Sequence, residues 1–313
     1  MIKNKILVSG SIAYDFIMDF DGIFKNSFVK KDLAHVNISF TGLNKKRFFG
    51  GCGANISYSL SLFGVEPVLF GVVGNDFSDY SKWMKKCGTN LDFVGIDKND
   101  FTACAYILTD KKENQINIFS PGGMGNENVE KSLTKDVLEG LKYAILSPDI
   151  CSRTVRLAKI LIRAKVPYFF DPGQMTPAFK ISDLKYLIEN AYGFIANSYE
   201  VKLLCSRLKI NKQDLNKKVE IFIETLGKNG SKVFTRGEGE IKIPAVKPQK
   251  VVDPTGCGDA YRGGFLAGLA KGMSVTEACK MGSLVSTYKI ETQGTQNHKF
   301  THAEFEKRLK NSF

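Results

Sequence analysis

The chain has 313 residues and a mass of 34.7 kDa, a length that fits one large domain or two smaller ones. Apolar residues make up 43% and charged residues 24%, which excludes disordered chains, collagen and disulfide-stapled miniature proteins. The net charge of +12 favours anionic partners in general. Because the basic residues are spread in short pairs without interleaved aromatic residues, we expect no nucleic-acid binding.

The cysteines and the apolar runs bear on the cellular compartment. The seven cysteines are scattered and include no C-x-x-C pair, which argues against a disulfide framework or a zinc site and suits a reducing environment. No apolar stretch approaches the ~18 residues that a membrane-spanning helix needs. The short apolar run near the start predicts a strand rather than a secretion signal. We therefore expect a cytoplasmic protein without a membrane partner.

Strand-length apolar runs alternate with segments of helical period along the chain. Predicted strands cover residues 5–9, 67–73, 143–146, 167–170, 193–196, 221–226 and 232–235. Predicted helices cover residues 55–63, 78–87, 152–164, 199–208, 259–271 and 275–287, followed by a helix that begins after a capping box at Thr301. This alternation predicts an α/β fold with a mostly parallel central sheet flanked by helices on both faces. We expect a single domain over residues 1–313.

Two segments in the N-terminal third interrupt the alternation. Residues 16–49 contain β-prone pieces, including 36–40, and residues 101–119 have the pattern of a hairpin with a polar turn at 110–114. Neither segment has enough apolar residues for a core of its own. Together they predict a small β-sheet lid on the α/β body.

The most informative stretch for chemistry is 253–259, which reads DPTGCGD and follows a predicted strand. Ligands of open α/β sheets bind beyond the carboxyl ends of the strands. Gly256 and Gly258 leave backbone amides accessible at the positive end of a helix, which is a ready anion site. Asp259 adds a carboxylate beside it, and an anion site with an adjacent base is what phosphoryl transfer to a hydroxyl requires. A capped helix after a plain turn is the alternative interpretation.

Other catalytic motifs are missing from the sequence. It contains neither the G-x-x-x-x-G-K-[ST] pattern of P-loop proteins nor the G-x-G-x-x-G pattern of dinucleotide-binding domains. With three histidines in all, of which His302 belongs to the Thr301 capping box, a Ser-His-Asp hydrolase is poorly supported.

On these motifs the chain resembles the ribokinase-like (PfkB) kinases over essentially its whole length, most closely the bacterial adenosine and nucleoside kinases. Residues that match the first family signature are Gly50, Gly51, Gly53, Asn55, Ser57, Gly64 and Gly74. The second signature is matched by residues 253–259 and 263–266. Cys257 departs from the small residue that is usual there, but a thiol is small enough to keep the loop.

The resemblance implies a role for each matching residue. Asp259 would be the base that takes the proton from the acceptor hydroxyl, and the amides of an anion hole would hold the transferring phosphate. Substrate hydroxyls would be bound by a set of three residues near the N-terminus. The residues of the anion hole are Gly256, Cys257 and Gly258, and those that bind substrate are Asp15, Gly51 and Asn55.

On the nucleotide side, the resemblance implies binding of ATP and Mg²⁺. Asn197 and Glu200 match an Asn-x-x-Glu motif that positions Mg²⁺ through water and thereby the ATP phosphates. Thr225, Gly227 and Gly230 match the ATP-side loop, for which a plain strand-to-strand turn is the alternative. By analogy alone, Asp253 and the carbonyls of residues 290–295 are candidates for a K⁺ site.

The acceptor implied by the resemblance is the 5′-hydroxyl of a nucleoside. The GSIAYD start at 10–15, the long segment 16–49 and the GTQNH sequence at 294–298 favour a nucleoside kinase. A nucleobase can also stack on the aromatic residues of the predicted lid. The alternative is a sugar kinase for ribose or fructose, while the retained Asp259 disfavours an inactive regulator. The sequence leaves open the preferred base, the redox sensitivity of Cys257 and the oligomeric state. A homodimer is one candidate for the oligomeric state.

Overall fold

The computed structural model describes residues 4–27 and 38–313. The helices are α1 (Phe24–Ser27), α2 (Cys52–Ser61), α3 (Ser78–Lys86), α4 (Lys135–Gly140), α5 (Cys151–Arg163), α6 (Ile181–Glu189), α7 (Ser198–Leu208), α8 (Lys212–Asn216), α9 (Cys257–Ala270), α10 (Val275–Ile290) and α11 (His302–Ser312). The strands are β1 (Lys5–Ser9), β2 (Ala13–Phe20), β3 (Gly42–Gly50), β4 (Glu66–Val73), β5 (Val94–Ile96), β6 (Ala103–Thr109), β7 (Gln115–Ser120), β8 (Leu141–Leu146), β9 (Tyr168–Phe170), β10 (Gly193–Asn197), β11 (Ile221–Thr225), β12 (Ser231–Thr235) and β13 (Gly239–Ile243).

The large sheet has the strand order β13-β12-β11-β10-β9-β8-β1-β4-β5. Strands β11 to β5 in that order pair in parallel, whereas β12 and β13 pair antiparallel at one edge. A short turn of 3₁₀ helix at Gly227–Asn229 joins β11 to β12, and so short a connection allows only an antiparallel partner.

Alternate residues of the central strands face two separate cores. Ile6 and Val8 of β1 face the core that α2, α9 and α10 cover, and Leu7 faces the core that α5, α6 and α7 cover. Because both faces are covered, the parallel strands are nearly continuous apolar runs. The predicted fold class is therefore confirmed. Within the described residues, no helix is long and apolar enough to span a membrane.

The second sheet has the order β3-β2-β6-β7 and corresponds to the predicted lid. It begins at Ala13 and its strand β3 ends at Gly50, so it extends slightly beyond the expected 16–49 segment. Residues 28–37 of that segment, including part of the β-prone 36–40, lie outside the described residues. Strands β6 and β7 form the predicted hairpin with its turn at 110–114.

The faces of the small sheet follow from its register. Phe48, Asp15, Ala105 and Phe119 are cross-strand neighbours and share one face. The opposite face carries Phe16, Arg47, Tyr106 and Ile118, which are likewise neighbours across the four strands. One face of the sheet thus carries the residue expected to bind substrate together with two phenylalanines.

Candidate active site

The first turns of α2 and α9 meet at the carboxyl-end edge of the large sheet. Asn55 lies in the first turn of α2, and its Nδ2 donates a hydrogen bond of 2.9 Å to Oδ2 of Asp259 in the first turn of α9. The two helices approach closely at Gly263. A Cβ at this position would lie 2.4 Å from Cβ of Ser59, so the close approach depends on glycine. Two predicted site residues that lie 204 positions apart in the chain are thereby brought into contact.

The environment of Asp259 raises the pKa of its carboxyl group into a range that suits proton transfer. Burial raises the pKa of this carboxyl group to about 6, and the negative charge of Asp171 adds to the rise. The hydrogen bond from Asn55 and the nearby guanidinium of Arg262 oppose it. A carboxylate with a pKa near neutrality is ionised at pH 7 and is a better proton acceptor than an exposed aspartate.

The loop before α9 has the geometry expected of an anion site. Gly256 has φ +76°, and a Cβ there would lie 2.8 Å from Cγ2 of Thr295, so only glycine fits without strain. Among the described residues, no backbone acceptor contacts the amides of Gly256 and Gly258, whereas the Cys257 amide donates to the Pro254 carbonyl at 3.3 Å. The two glycine amides are therefore the better placed of the three predicted donors.

The thiol of Cys257 is poorly suited to redox chemistry. Burial raises its pKa to about 11, so the thiol stays protonated near neutral pH. Since the thiolate is the reactive form of cysteine, we expect Cys257 to contribute space and backbone rather than reactivity.

Asp15 lies on β2 of the small sheet, near enough to Asp259 for the charge of that residue to affect it. Its carboxylate packs against Gly50, where a Cβ would lie 2.2 Å from Oδ2 of Asp15. Burial, together with the charges of Asp259 and Asp253, raises the pKa of Asp15 to about 7. The third predicted substrate residue, Gly51, is the N-cap of α2 and contributes backbone.

A buried polar chain holds Asn55 in place, and sequence reasoning missed it. Gln296 donates from Nε2 to Oδ1 of Asn55 at 3.0 Å and to the Tyr80 hydroxyl at 2.5 Å. The indole Nε1 of Trp83 donates to Oε1 of Gln296 at 3.0 Å. These bonds fix which way the Asn55 amide faces, so that its NH₂ group points to Asp259. Gln296 lies within the GTQNH sequence at 294–298, which the resemblance singled out without giving Gln296 a role.

Arg262 is a second residue that the motif analysis did not single out. Its Nη2 donates to Oδ1 of Asp171 at 2.6 Å, and its Nη1 donates to the Gly258 carbonyl at 3.0 Å. The arginine therefore links the end of β9 to the first turn of α9. An arginine among the small residues of the second signature was the signal that could have found it.

The residues expected on the nucleotide side gather at the ends of β10 and β11. Asn197 and Glu200 form the capping box of α7, in which each side chain accepts from the backbone amide of the other. Thr225 ends β11, and Gly227 begins the turn to β12. At Gly230 a Cβ would lie 2.0 Å from the Ile243 carbonyl, which explains this glycine by backbone packing alone.

The donor set near Glu200 fits a water-mediated Mg²⁺. Burial and the charge of Asp171 raise the pKa of Glu200, so a cation bound nearby would favour its ionised form. Oε2 of Glu200 is engaged in the helix cap, which leaves one oxygen for a hydrated ion. Within the described ranges, no cluster of three or more His, Cys, Asp or Glu forms a direct metal cage. Mg²⁺ tolerates few protein ligands because it keeps several waters.

The residues proposed by analogy for K⁺ already surround a side-chain cation. The ammonium of Lys289 lies 2.8 Å from the Asp253 carbonyl, 3.1 Å from the Thr292 carbonyl and 3.7 Å from Oδ2 of Asp253. This arrangement does not fit an additional monovalent cation among the same oxygens.

Two pockets differ in their relation to this site. One of about 220 Å³ is lined by Phe48 and Gln296 and borders the polar chain that holds Asn55. A larger one of about 410 Å³ is lined by Lys165, Tyr192 and Glu220, at the amino ends of the strands. Ligands of this type of sheet bind at the carboxyl ends of the strands. The smaller pocket, which is the one next to the residues around Asn55, is therefore the candidate for substrate binding.

A parallel sheet with a β lid, an amide-lined helix start and an adjacent buried aspartate define a ribokinase-like kinase. The chain belongs to the pfkB family of carbohydrate kinases, whose model matches residues 3–302. This confirms the family predicted from the two signatures.

The most informative relatives are nucleoside kinases. The structure of Burkholderia thailandensis nucleoside kinase in complex with inosine is 36% identical, with a TM-score of 0.88 over 99% of this chain and 98% of that one. A structure of the same enzyme with ADP and inosine has a TM-score of 0.85 over 98% of this chain and 96% of that one. The nucleoside kinase of Methanocaldococcus jannaschii is 29% identical over 297 residues, covering 94% of this chain and 93% of that protein. The ribokinase of Lactococcus lactis is 30% identical over 275 residues, covering 83% and 85%.

Proposed function

We propose that this protein is an ATP-dependent nucleoside kinase that transfers the γ-phosphate of ATP to the 5′-hydroxyl of a nucleoside. The observation that carries the proposal is the hydrogen bond between Asn55 and Asp259 at the amide-lined start of α9, with the buried carboxyl group of Asp15 near enough for the charge of Asp259 to raise its pKa. The likeness to nucleoside kinases, one with bound inosine, supports the substrate class.

In the proposed reaction, Asp259 accepts the proton of the attacking hydroxyl, and the hydrogen bond from Asn55 orients the carboxylate. The amides of Gly256 and Gly258 stabilise the charge on the transferring phosphoryl group, helped by the positive end of α9. Asp15 binds the ribose hydroxyls and so sets the distance between nucleophile and phosphate. Mg²⁺ would supply charge neutralisation on the ATP phosphates, with Glu200 holding its water shell.

The face of the small sheet favours a nucleoside over a free sugar. Phe48 lies on the strand next to Asp15, and Phe119 lies two strands away on the other side; both share the face that carries Asp15. A ribose on Asp15 would place an attached base within reach of these rings, where stacking contributes about 0.5–1.5 kcal/mol per aromatic contact. A ribokinase or fructokinase is the second candidate function. The similarity to a ribokinase supports it, so ribose and fructose are included in the substrate panel below.

We further propose that residues 1–313 act as one domain in the cytoplasm and assemble as a homodimer. Tyr106 and Ile118 are paired on the face of the small sheet opposite Asp15, and Ile118 is 62% exposed. In a two-fold dimer the same surface of each copy faces the other, so this apolar pair could be covered by its own counterpart.

The proposal is tested with a substrate panel under ATP and Mg²⁺. We expect phosphorylation of adenosine, inosine or cytidine with a kcat/KM at least about fivefold above that for ribose or fructose, since loss of base stacking costs about 1 kcal/mol or more. Mass analysis of the product, followed by cleavage with a 5′-nucleotidase, locates the phosphate. Rapid turnover of ribose or fructose without any nucleoside turnover would make the protein a sugar kinase.

A further inference from the structure

Lys289, near the end of α10, is a buried cation to which the proposed chemistry assigns no role. Its side chain is 0% exposed. The ammonium donates to the carbonyls of Asp253 and Thr292, and the carboxylate of Asp253 completes a set of three oxygens. The ammonium thus makes two hydrogen bonds to carbonyls and one ion pair, with Oδ2 of Asp253 at 3.7 Å.

The three oxygens belong to the segments that support the anion loop. Asp253 immediately precedes the loop, and its carboxylate also accepts from the amides of Thr255 and Gly294 at 2.9 Å each. Thr295, next along the chain, contacts the position of Gly256. The Lys289 ammonium therefore connects the start of the anion loop, at Asp253, to the segment after α10, at Thr292.

A buried charge of this kind is costly unless its oxygens repay the lost hydration. Burial lowers the pKa of Lys289 from its ordinary value, and the charges of Asp253 and Asp259 counteract this. Two carbonyls and a carboxylate are also the hard oxygen ligands that a weakly hydrated monovalent cation takes in place of water. The same oxygens can thus hold either a free cation or a tethered ammonium, but not both.

We propose that the Lys289 ammonium is a built-in replacement for a monovalent cation, so that this enzyme works without K⁺. Removal of the side chain should leave an oxygen-lined cavity that K⁺ or NH₄⁺ can fill. The kinetic part of the proposal rests on the proposed nucleoside kinase function, whereas its thermal part does not.

The test compares chloride salts of K⁺, NH₄⁺, Na⁺ and tetramethylammonium at one ionic strength. Kinase activity and Tm are measured for the wild type, Lys289→Ala and Lys289→Met, which fills the cavity without a charge. Lys142→Ala is the matched control, because Lys142 also donates to a backbone carbonyl, that of Ala270 at 2.7 Å.

We expect the wild type and Lys142→Ala to show the same activity and Tm in every salt, within about twofold and about 1 °C. In tetramethylammonium, Lys289→Ala should lose roughly 5–10 °C of Tm, as expected for breaking a buried pair. Its kcat should fall about 10- to 100-fold through misplacement of the anion loop. K⁺ or NH₄⁺ should restore most of both losses in Lys289→Ala and neither in Lys289→Met.

Wild-type activity that falls more than about tenfold when tetramethylammonium replaces K⁺ would overturn the proposal. So would a Lys289→Ala protein whose Tm responds to K⁺ no more than that of Lys289→Met. If Lys289→Ala does not fold, a K⁺-specific rise in the Tm of the wild type overturns the proposal, and its absence supports it. A wild type that phosphorylates no nucleoside in any salt would refute the proposed function, while the Tm series would still decide the role of Lys289.

Discussion

At the scale of single residues, two carboxylates govern the electrostatics of the site. The pKa of Asp259 is raised to about 6 and that of Asp15 to about 7, mainly by burial; the charge of Asp171 contributes at Asp259, and the charges of Asp259 and Asp253 contribute at Asp15. Below these values the groups are protonated, and then Asp259 cannot accept a proton and Asp15 loses its charge. A nucleoside that bridges the two should therefore bind and react best above pH 7.

We predict that kcat/KM falls as the pH drops through about 7 to 6, with a slope steeper than one proton below pH 6. In Asp15→Asn the slope should approach one proton, and its midpoint should move toward about pH 6, because Asp259 is then the one carboxyl group of the two that still titrates. KM for the nucleoside should rise about 10- to 100-fold, since charged hydrogen bonds contribute roughly 1.5–3 kcal/mol. The pH profiles of the two proteins check this, and an unchanged profile would remove Asp15 from the substrate site.

The residues that carry the site were predictable to different degrees. Asp259 and Asn55 stand out because both signatures surround them, and the structure brings them into contact. Lys289 and Gln296 support the site by hydrogen bonds to Asp253 and Asn55, which are far away in the chain. A local sequence pattern does not predict such contacts. Spacing along the sequence predicts which residues begin a helix, but not which buried side chain meets them.

At the scale of elements, the small sheet is more than a peripheral flap. Because residues 101–119 have too few apolar residues for a core of their own, the sequence by itself predicts that the fold would survive their removal. In the structure, β6 pairs with β2 from Ala13 to Asp19, and Ala103 is fully buried. Deletion of the hairpin would therefore disturb the strand that carries Asp15, and single substitutions are the better test of the lid.

We predict that Phe119→Ala weakens nucleoside binding about 2- to 10-fold, because one aromatic contact contributes about 0.5–1.5 kcal/mol. Phe119 is 52% exposed on the face that carries Asp15, so truncation should not destabilise the fold. Phe313→Ala is the matched control, since that ring lies at the end of α11 beside Lys280. Kd values for inosine and ribose decide the outcome. If Phe119→Ala weakens both ligands equally, the ring does not contact the base.

Secondary structure was predictable where apolar periodicity is strong and was missed where it is not. The predicted helices at 78–87 and 275–287 match α3 and α10 to within a few residues. Helices α4 and α8 are only six and five residues long, too short to show a period. Strand β5 has three residues, and pairing with β4 rather than its own composition makes it a strand.

At the scale of the whole molecule, the parallel sheet and its two cores follow directly from strand–helix alternation, and the family and enzyme class predicted from the sequence are confirmed. The assembly state does not follow in this way, because an interface depends on which exposed side chains meet in space. The paired Tyr106 and Ile118 became visible as a surface only through the register of β6 and β7.

We predict that the protein is a homodimer and that Ile118→Lys makes it a monomer, because a charge buried in an apolar interface costs several kcal/mol. Ile181→Lys is the matched control, since Ile181 is also an exposed isoleucine, at the start of α6. Light scattering after size-exclusion chromatography gives the mass of each variant. A monomeric wild type, or a dimer that survives Ile118→Lys, would contradict this assignment.

The central claim is that Asp259 is the base for phosphoryl transfer to a nucleoside, and the most direct test measures kcat and nucleoside Kd together in Asp259→Asn. The amide keeps the size of the side chain at the start of α9 but cannot accept the proton. The account predicts a kcat about 10²- to 10⁴-fold lower with a Kd within a few-fold of the wild type. A variant that retains the wild-type kcat would contradict the account.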